Sequence, residues 1–474
     1  MNTNRNRTVL ALGIALALAA GGASATNGYY THGVGTKSKG QAGAGSANPE
    51  ELLILATNPA GLTEVGASLD AGLGFFMPMR YYKTSDSDVN GACFSPSPAD
   101  CTFTIGPNDL RSGSEFFMVP FIGRSWKLSD NDVMALGFYG RGGMNTRWEG
   151  GTATFVPLGG TAPAVQPGTY GGGTAGVDLM QGFLNLSYAR EFADQFSVGA
   201  SAIFALQRFE ARGVEAFTPY TESFLRRYFT EGVPGLVENL SDNGHDMSYG
   251  YGGTVGLRWQ PVDMFSIAAA YTTKMTMSHF NDYGDLYAED GGFDMPSTWT
   301  VGVALKPVES LTLMFDVQEI KYTDVDSVSN PIDNLQNCPL FNPTGDFEYC
   351  LGGDKGPGFG WEDMTVYKFG VSWQYSDDWT WRAGYSMTDQ PIPKDQMIFN
   401  ILAPGVIEEH FTFGFTQKMK NGNELNLSFM YAPEFSVNGP NTFEPDVPAF
   451  GLQPQDIELR MQEFELEISY SWKR

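Results

Sequence analysis

Apolar and polar residues alternate with period two through much of this 474-residue chain, and this pattern restricts the fold more than any other feature. In residues 367–375, Tyr, Phe, Val, Trp and Tyr alternate with Lys, Gly, Ser and Gln. Residues 299–306, 411–416 and 425–431 repeat the pattern. Such alternation is typical of a β-strand with one apolar and one polar face. A soluble β-sandwich shares it, so the alternation alone leaves the architecture open.

The lengths of the connections distinguish these alternatives. Short turns at residues 129–131, 193, 261–262, 308, 377 and 420–421 alternate with long loops. Short turns at one rim and long loops at the other are typical of outer-membrane barrels, whose strands need about 9–11 residues to cross. We therefore predict an all-β fold, a 14-stranded antiparallel transmembrane β-barrel over residues 67–474. Its strands are expected at residues 67–83, 112–128, 132–148, 177–192, 194–213, 246–260, 263–280, 294–307, 309–324, 363–376, 378–389, 406–419, 422–436 and 456–472.

The first 25 residues indicate export. Arg5 and Arg7 precede an apolar run at residues 9–20, and Ala23-Ser24-Ala25 is typical of a cleavage site. A membrane anchor is the alternative, but the run is shorter than the roughly 20 residues of a membrane helix. We expect a signal peptide at residues 1–25, and a mature protein in the bacterial outer membrane.

Composition limits the partners. The formal charge of −25 excludes nucleic acid as a binding partner, because an acidic chain repels the phosphate backbone. We expect contact with outer-membrane lipid and lipopolysaccharide, and favour a monomer. Acidic loop residues such as Asp86 and Asp324 could bind divalent cations, although a solvated acidic rim is the simpler interpretation. No cofactor or metal cluster is predicted.

The four cysteines fall into two local pairs, Cys93 with Cys101 and Cys338 with Cys350. An even number of cysteines in turn-rich segments of an exported chain indicates disulfide bonds. Metal binding is the rival interpretation, but there is no C-x-x-C spacing and no neighbouring histidine. We predict two loop disulfides, Cys93–Cys101 and Cys338–Cys350.

Residues 26–66 fit no strand and precede the first one. They combine several glycines with the apolar stretch 50–57, which could form two helical turns ending before Pro59. A disordered tail is the alternative, but Leu52, Leu53, Ile54 and Leu55 are too apolar for one. A barrel of fourteen strands has a lumen too wide for wall side chains to fill. We therefore predict that residues 26–66 form a hatch inside it.

The hatch also carries a family resemblance. The Gly-rich start, the small residues around Gly40 and the step Asn58-Pro59-Ala60 just before a strand resemble the hatch of the FadL family. The resemblance covers essentially the whole mature chain except its external loops. It implies a fourteen-stranded barrel with an internal hatch that transports fatty acids or hydrocarbons by passive, ligand-gated diffusion. It also implies release into the membrane through a gap at a kinked third strand.

The third predicted strand contains residues suited to such a kink. Gly140, Gly142 and Gly143 surround Arg141, and glycines inside a strand mark bulges or bends. The alternative is that these small residues only relieve crowding against the hatch. We predict a lateral opening here, because a greasy molecule gains free energy by entering lipid directly.

Two further groups of residues are candidates for ligand contact. In the loop at residues 214–245, apolar residues recur at three- and four-residue spacing, which predicts an amphipathic helical pair broken at Pro234-Gly235. It could capture ligand or simply pack on neighbouring loops; its candidate capture residues are Phe224, Leu225, Tyr228, Phe229 and Leu236. Inside the barrel, Arg258, Lys368 and Arg382 could meet a substrate carboxylate or pair with lumen acids such as Asp316.

Other functions have less support in the sequence. The four histidines lie in the predicted hatch, loops or strand ends and have no suggestive catalytic partner, and there is no phosphate-binding loop, so no enzyme is predicted. A general porin for small polar solutes is the serious alternative, since it shares the signal peptide, the barrel and the long loops. It differs in lacking an N-terminal hatch. No residue by itself selects one hydrophobic substrate.

Overall fold

The computed structural model describes residues 27–94, 101–192 and 195–473. The predicted signal peptide and the tight turn at residue 193 lie outside these ranges. The described chain forms one large barrel of fourteen strands. These are β1 (Ser68–Thr84), β2 (Phe117–Lys127), β3 (Asp132–Asn145), β4 (Gly176–Phe192), β5 (Phe196–Arg212), β6 (Asp246–Val262), β7 (Phe265–Thr272), β8 (Thr298–Val308), β9 (Leu311–Ile320), β10 (Met364–Gln374), β11 (Trp379–Met387), β12 (Glu409–Lys418), β13 (Glu424–Pro440) and β14 (Asp456–Lys473).

All fourteen predicted strands are confirmed, with differences at their ends. The largest difference is at β7, which ends at Thr272 instead of residue 280, although the two-residue strand Thr276–Met277 continues the pairing with β6. β2 begins at Phe117 instead of residue 112. These ends lie at the rim with the long loops, where tertiary contacts decide how far a ladder continues.

Every strand pairs antiparallel with its neighbours in the chain, and the last strand closes the barrel against the first. The β1–β14 ladder runs from Ser68 opposite Lys473 to Thr84 opposite Ile457. This closure pairs the backbone groups of the first and last strands, which matters because lipid offers no hydrogen bonds to unpaired backbone groups.

The two faces of the barrel differ in chemistry as the alternation predicts. On β10 the outward side chains Tyr367, Phe369 and Trp373 are 40, 42 and 46% exposed, whereas the inward Lys368 is buried. Such an apolar, aromatic outer surface is typical of strands that face lipid. Among the described residues, no helix has the length and apolar character needed to span a membrane.

The long loops contain several short strands and helical turns. Thr104–Ile105, Thr152–Phe155 and Ala164–Pro167 form a separate three-stranded sheet, and Asn108–Arg111 pairs with β1. The longest helix within the described ranges is Glu222–Glu231. Shorter helical turns in the loops are Glu215–Tyr220, Asn281–Tyr283, Ala288–Gly291, Tyr322–Asp324, Asp326–Ser329, Ile332–Asn337, Phe347–Tyr349, Met397–Asn400 and Pro448–Phe450.

The hatch, here residues 27–66, packs against the inward side chains of the wall. Its helical turns are Thr36–Lys39, Leu52–Ala56, Pro59–Gly61 and Leu62–Val65. The leucines at 52, 53 and 55 are fully buried and form one apolar cluster with inward residues of β2 to β5, among them Phe121 and Phe183. The hatch therefore packs on the inner face of the wall through an apolar cluster that the two share.

The long loops contain both predicted disulfides, Cys93–Cys101 and Cys338–Cys350. The predicted helical pair in the loop at residues 214–245 is wrong in its second half. The helix ends at Glu231, because Gly232 adopts a left-handed conformation (φ 72°) that terminates it, and no helix follows Pro234. One helix, not two, therefore presents the apolar residues of this loop.

Candidate functional site

The barrel wall is interrupted between β2 and β3. Their ladder ends at Phe121 opposite Tyr139. Beyond this pair β3 continues along β4, but its register shifts by one residue between Gly140 and Gly142. Arg141 is the extra residue of this β-bulge, and a bulge bends its strand away from a neighbour.

The start of the hatch takes the edge of β3 that β2 leaves. The Gly143 amide donates a hydrogen bond to the Tyr29 carbonyl (3.0 Å), and the Thr31 amide donates one to the Arg141 carbonyl (2.9 Å). Residues 27–31 therefore act as a short extra strand on the lumen side of the kink.

Contact between the two parts of the wall resumes closer to the long loops. There the Gly113 amide donates to the Arg147 carbonyl (2.8 Å). Between that contact and the Phe121–Tyr139 pair, the described residues 114–120 and 140–146 share no backbone hydrogen bond. We call this interval the wall window.

The three glycines predicted to form the kink lie at the window. At Gly142 an added Cβ would lie 2.2 Å from Gln181 Oε1 and 3.0 Å from the Tyr29 carbonyl oxygen. A side chain at this position would therefore push the start of the hatch off the strand. At Gly140 an added Cβ would contact Val119 of β2 at 3.0 Å.

An apolar cavity lies among the long loops. Its one ionisable lining side chain is Tyr287, and burial raises the pKa of this phenol well above its ordinary value, so the wall is uncharged. Such a site favours hydrocarbon. The full lining is Val177, Val214, Phe217, Leu286, Tyr287, Ser327, Leu351, Pro357, Gly358, Phe359, Phe399 and Leu402.

A second, smaller cavity lies beside the kink. Its wall includes Gly143 and Met144 of β3, Gly28 of the hatch and Ala403. Ala403 follows Leu402, which lines the larger cavity, so one loop segment borders both cavities. The alternation and the motifs did not identify these cavities, because their walls come from loops far apart in the sequence.

The Asn58-Pro59-Ala60 step fixes the hatch to the wall. The Asn58 side chain accepts a hydrogen bond from the Ala60 amide (3.2 Å) and donates to the carbonyls of Ser46 and of Leu257 on β6 (both 3.2 Å). Asparagine suits the position because its side chain both donates and accepts.

The three lumen cations proposed to meet a substrate carboxylate contact the hatch instead. Arg258 donates to Glu64 (2.7 Å) and Arg382 to Glu50 (2.8 Å), whereas Lys368 donates to the His32 carbonyl (2.9 Å). A buried cation requires a close acceptor, and the hatch supplies one to each. The contact of these three cations with a substrate carboxylate stays a prediction, and such a contact would have to replace the bonds to the hatch.

The predicted capture residues divide into two sets. Phe224 and Leu225 are buried against the Cys338–Cys350 disulfide, while Tyr228, Phe229 and Leu236 are 51, 53 and 73% exposed. The first set stabilises the loop, and the second forms an apolar outer surface.

Tyr220 connects the outer loops with the larger cavity. Its ring centroid lies 6.0 Å from that of Phe217, which lines the cavity, and 5.8 Å from that of Phe341, which is 37% exposed. Aromatic contacts therefore continue from the outer surface to the cavity wall.

One group of potential metal ligands lies at the rim, formed by Asp178, Glu210 and His245. However, Arg208 pairs with Asp178 (3.1 Å) and Arg212 with Glu210 (2.6 Å). The two carboxylates are therefore already compensated, and nothing in this arrangement requires a cation.

A family model described as outer membrane protein transport protein (OMPP1/FadL/TodX) matches residues 16–438. The chain belongs to this family. It is accordingly an outer-membrane transport protein, and the resemblance read from the hatch motif is confirmed. None of the curated proteins compared matches it in sequence.

Solved structures agree with the FadL-type fold. The toluene transporter TodX of P. putida is 16% identical, with a TM-score of 0.60 and coverage of 94% of this chain and 99% of that one. A FadL homologue of Pseudomonas aeruginosa is 14% identical, with a TM-score of 0.61 and the same coverage. The Ralstonia pickettii toluene transporter TbuX is 15% identical, with a TM-score of 0.57 and coverage of 93% and 98%. At these identities the likeness concerns the fold alone.

Proposed function

We propose that this FadL-family protein admits hydrophobic small molecules across the outer membrane by passive diffusion, and that it releases them sideways into the lipid. We further propose that residues 1–25 are removed on export, so that the hatch begins near Thr26. Similar barrels are described as toluene transporters, and an uncharged cavity suits molecules of that kind.

The single observation that carries the proposal is the wall window. Ligand would settle on the exposed side chains of Tyr228, Phe229 and Leu236, pass into the larger cavity, and reach the smaller cavity beside Gly143. From there it would leave between β2 and β3 once residues 27–31 move. Lateral exit keeps an apolar molecule out of the aqueous periplasm, where its hydration is unfavourable.

The hatch favours this proposal over a general porin. Polar solutes need a continuous aqueous path, whereas the hatch fills the lumen and is tied to the wall through Arg258, Lys368 and Arg382. A large, steady single-channel conductance of the wild-type protein would instead favour the porin.

Removing the bulge tests the exit. Deleting Arg141 should restore the register of β3 with β4 and let β2 pair further, which closes the window. Deleting Glu434 is the matched control, because β13 has a one-residue bulge between Ala432 and Phe435, outside the β2–β3 interval.

Uptake of radiolabelled toluene, dodecane and 1-dodecanol by cells should fall strongly for the Arg141 deletion and stay near wild type for the Glu434 deletion. These probes are uncharged, so the loss of the Arg141 charge does not affect the comparison. Wild-type uptake by a correctly inserted Arg141 deletion would refute lateral exit at this window.

A further inference from the structure

The loop between β11 and β12 contains a segment that lies in the interior of the protein. Residues 396–407 are all buried, although they belong to one of the long loops. Leu402 of this segment lines the larger cavity, and the next residue, Ala403, lines the smaller one. The loop therefore contacts both cavities within two consecutive residues.

Two more pairs of neighbouring residues have one member in each cavity. Thr146 lines the smaller cavity, and its amide donates to the carbonyl of Val177 (2.9 Å), which lines the larger one. Phe359 lines the larger cavity and Trp361 the smaller one, and their ring centroids lie 6.3 Å apart. The two cavities thus adjoin one thin layer of residues, which we call the partition. It consists of Thr146, Val177, Phe359, Trp361, Leu402 and Ala403.

Hydrogen bonds hold the backbone of the loop in the partition. The Thr146 hydroxyl donates to the Leu402 carbonyl (2.7 Å), and the Trp148 indole donates to the Ile401 carbonyl (2.9 Å). Both donors are buried, so displacing the loop would leave them without partners at a cost in free energy. The backbone at this point is therefore more firmly held than the apolar side chains that it carries.

Leu402 has the most freedom among the larger side chains of the partition. The two aromatic side chains pack on each other, and the Trp361 indole also donates to the Asn400 side chain (2.6 Å). Val177 lies on β4 and is branched at Cβ, which restricts its rotation. The Leu402 side chain has no polar group and no branch at Cβ, so it is able to change between staggered rotamers while its backbone stays in place.

We propose that Leu402 is a specificity-determining residue whose side chain gates the passage from the larger to the smaller cavity. The inference rests on the proposed function, because it assumes that substrate takes this path. Since the backbone is held, the opening is no wider than the space that the leucine side chain vacates. A single aromatic ring or an unbranched chain passes through such an opening more readily than fused rings do. Leu402 therefore selects substrates by their cross-section and not by their charge.

Simultaneous uptake of toluene and naphthalene tests the inference, in cells that produce the full-length protein or a variant of it. The two probes are uncharged, carry different radiolabels and differ by one fused ring. Their uptake ratio does not depend on how much protein reaches the membrane. Leu402→Ala should raise the naphthalene-to-toluene ratio by on the order of tenfold, the discrimination that one or two methylenes provide in a tight apolar site. Leu402→Phe should lower the ratio, because a larger side chain leaves a narrower opening.

Ile398→Ala is the matched control. Ile398 belongs to the same loop, is fully buried like its neighbours and lines neither of the two cavities. Its truncation removes the same number of carbon atoms and should leave the ratio unchanged.

The outcomes separate the inference from the proposed function. A wild-type ratio in Leu402→Ala, or an equal rise in Ile398→Ala, would overturn the gate while transport itself stands. If Leu402→Ala fails to insert, Leu402→Phe decides, because an unchanged ratio in that variant also overturns the gate. Uptake of both probes by wild-type cells no faster than by cells without the protein would instead refute the proposed function.

Discussion

Replacing Lys39 with methionine removes the cation that fastens the hatch to the last strand. The Lys39 ammonium donates to Glu465 and, at 2.7 Å, to Glu467 of β14. The three residues are only 4, 2 and 1% exposed, so water screens them little. Breaking a buried ion pair by removing one partner costs about 3–5 kcal/mol, because the other charge stays buried without compensation.

We expect this cost to appear as displacement of the hatch and not as unfolding of the barrel. Lys39 contributes nothing to the barrel ladder, and the two glutamates become hydrated as soon as the hatch moves. Taking the lower value of about 3 kcal/mol, the displaced population should rise about a hundredfold.

Conductance in planar lipid bilayers measures this population, because a displaced hatch leaves an aqueous path. Lys39→Met should open frequently, and the triple variant Lys39→Met/Glu465→Gln/Glu467→Gln should close again, since no buried charge remains unpaired. Arg226→Met is the control: its pair with Glu222 is solvent-exposed and contributes well below 1 kcal/mol. A Lys39→Met protein that is correctly inserted and as silent as wild type would refute the argument.

Three further predictions concern single features. Asn58→Ala removes the hydrogen bonds to Ala60, Ser46 and Leu257 and should weaken the attachment of the hatch to the wall by about 1–2 kcal/mol. The conductance in bilayers should therefore increase, and unchanged conductance would contradict the anchoring role. Replacing Cys338 and Cys350 with serine should lower the free energy of unfolding of the loops by about 2–3 kcal/mol. This loss should appear as faster proteolysis around Phe224, while the heat-modifiable migration of the barrel stays unchanged. Gly142→Val should displace residues 27–31, which increases the labelling of a cysteine introduced at Tyr29; wild-type labelling would show that the strand accommodates the side chain.

The barrel could be predicted from the sequence because the environment on each face of a strand determines which residue types alternate along it. A residue such as Phe369 faces lipid and the next, Gly370, faces the hatch, so alternation appears within a few residues. The register shift of β3 lies between Gly140 and Gly142, two of the glycines that indicated a bend in the sequence, while their role in a lateral opening stays a prediction. The loop disulfides followed from two cysteine pairs that are close in the chain.

The partners of the lumen charges could not be predicted in the same way. The sequence placed Arg382 on the inward face, but its partner Glu50 lies 332 positions earlier in the chain. The alternation identifies which polar side chains point inward. Only the folded hatch determines which of them receive a hydrogen-bond or ion-pair partner.

The contacts of Lys39 have a consequence for biogenesis. The hatch precedes every strand in the chain, yet the glutamates that hold it belong to β14, the last strand. While the barrel is being assembled, the hatch therefore lacks its contacts with Glu465 and Glu467 until β14 is in place and has paired with β1. Sealing of the pore thus becomes the final event of assembly, and a barrel arrested before its last strand would leak.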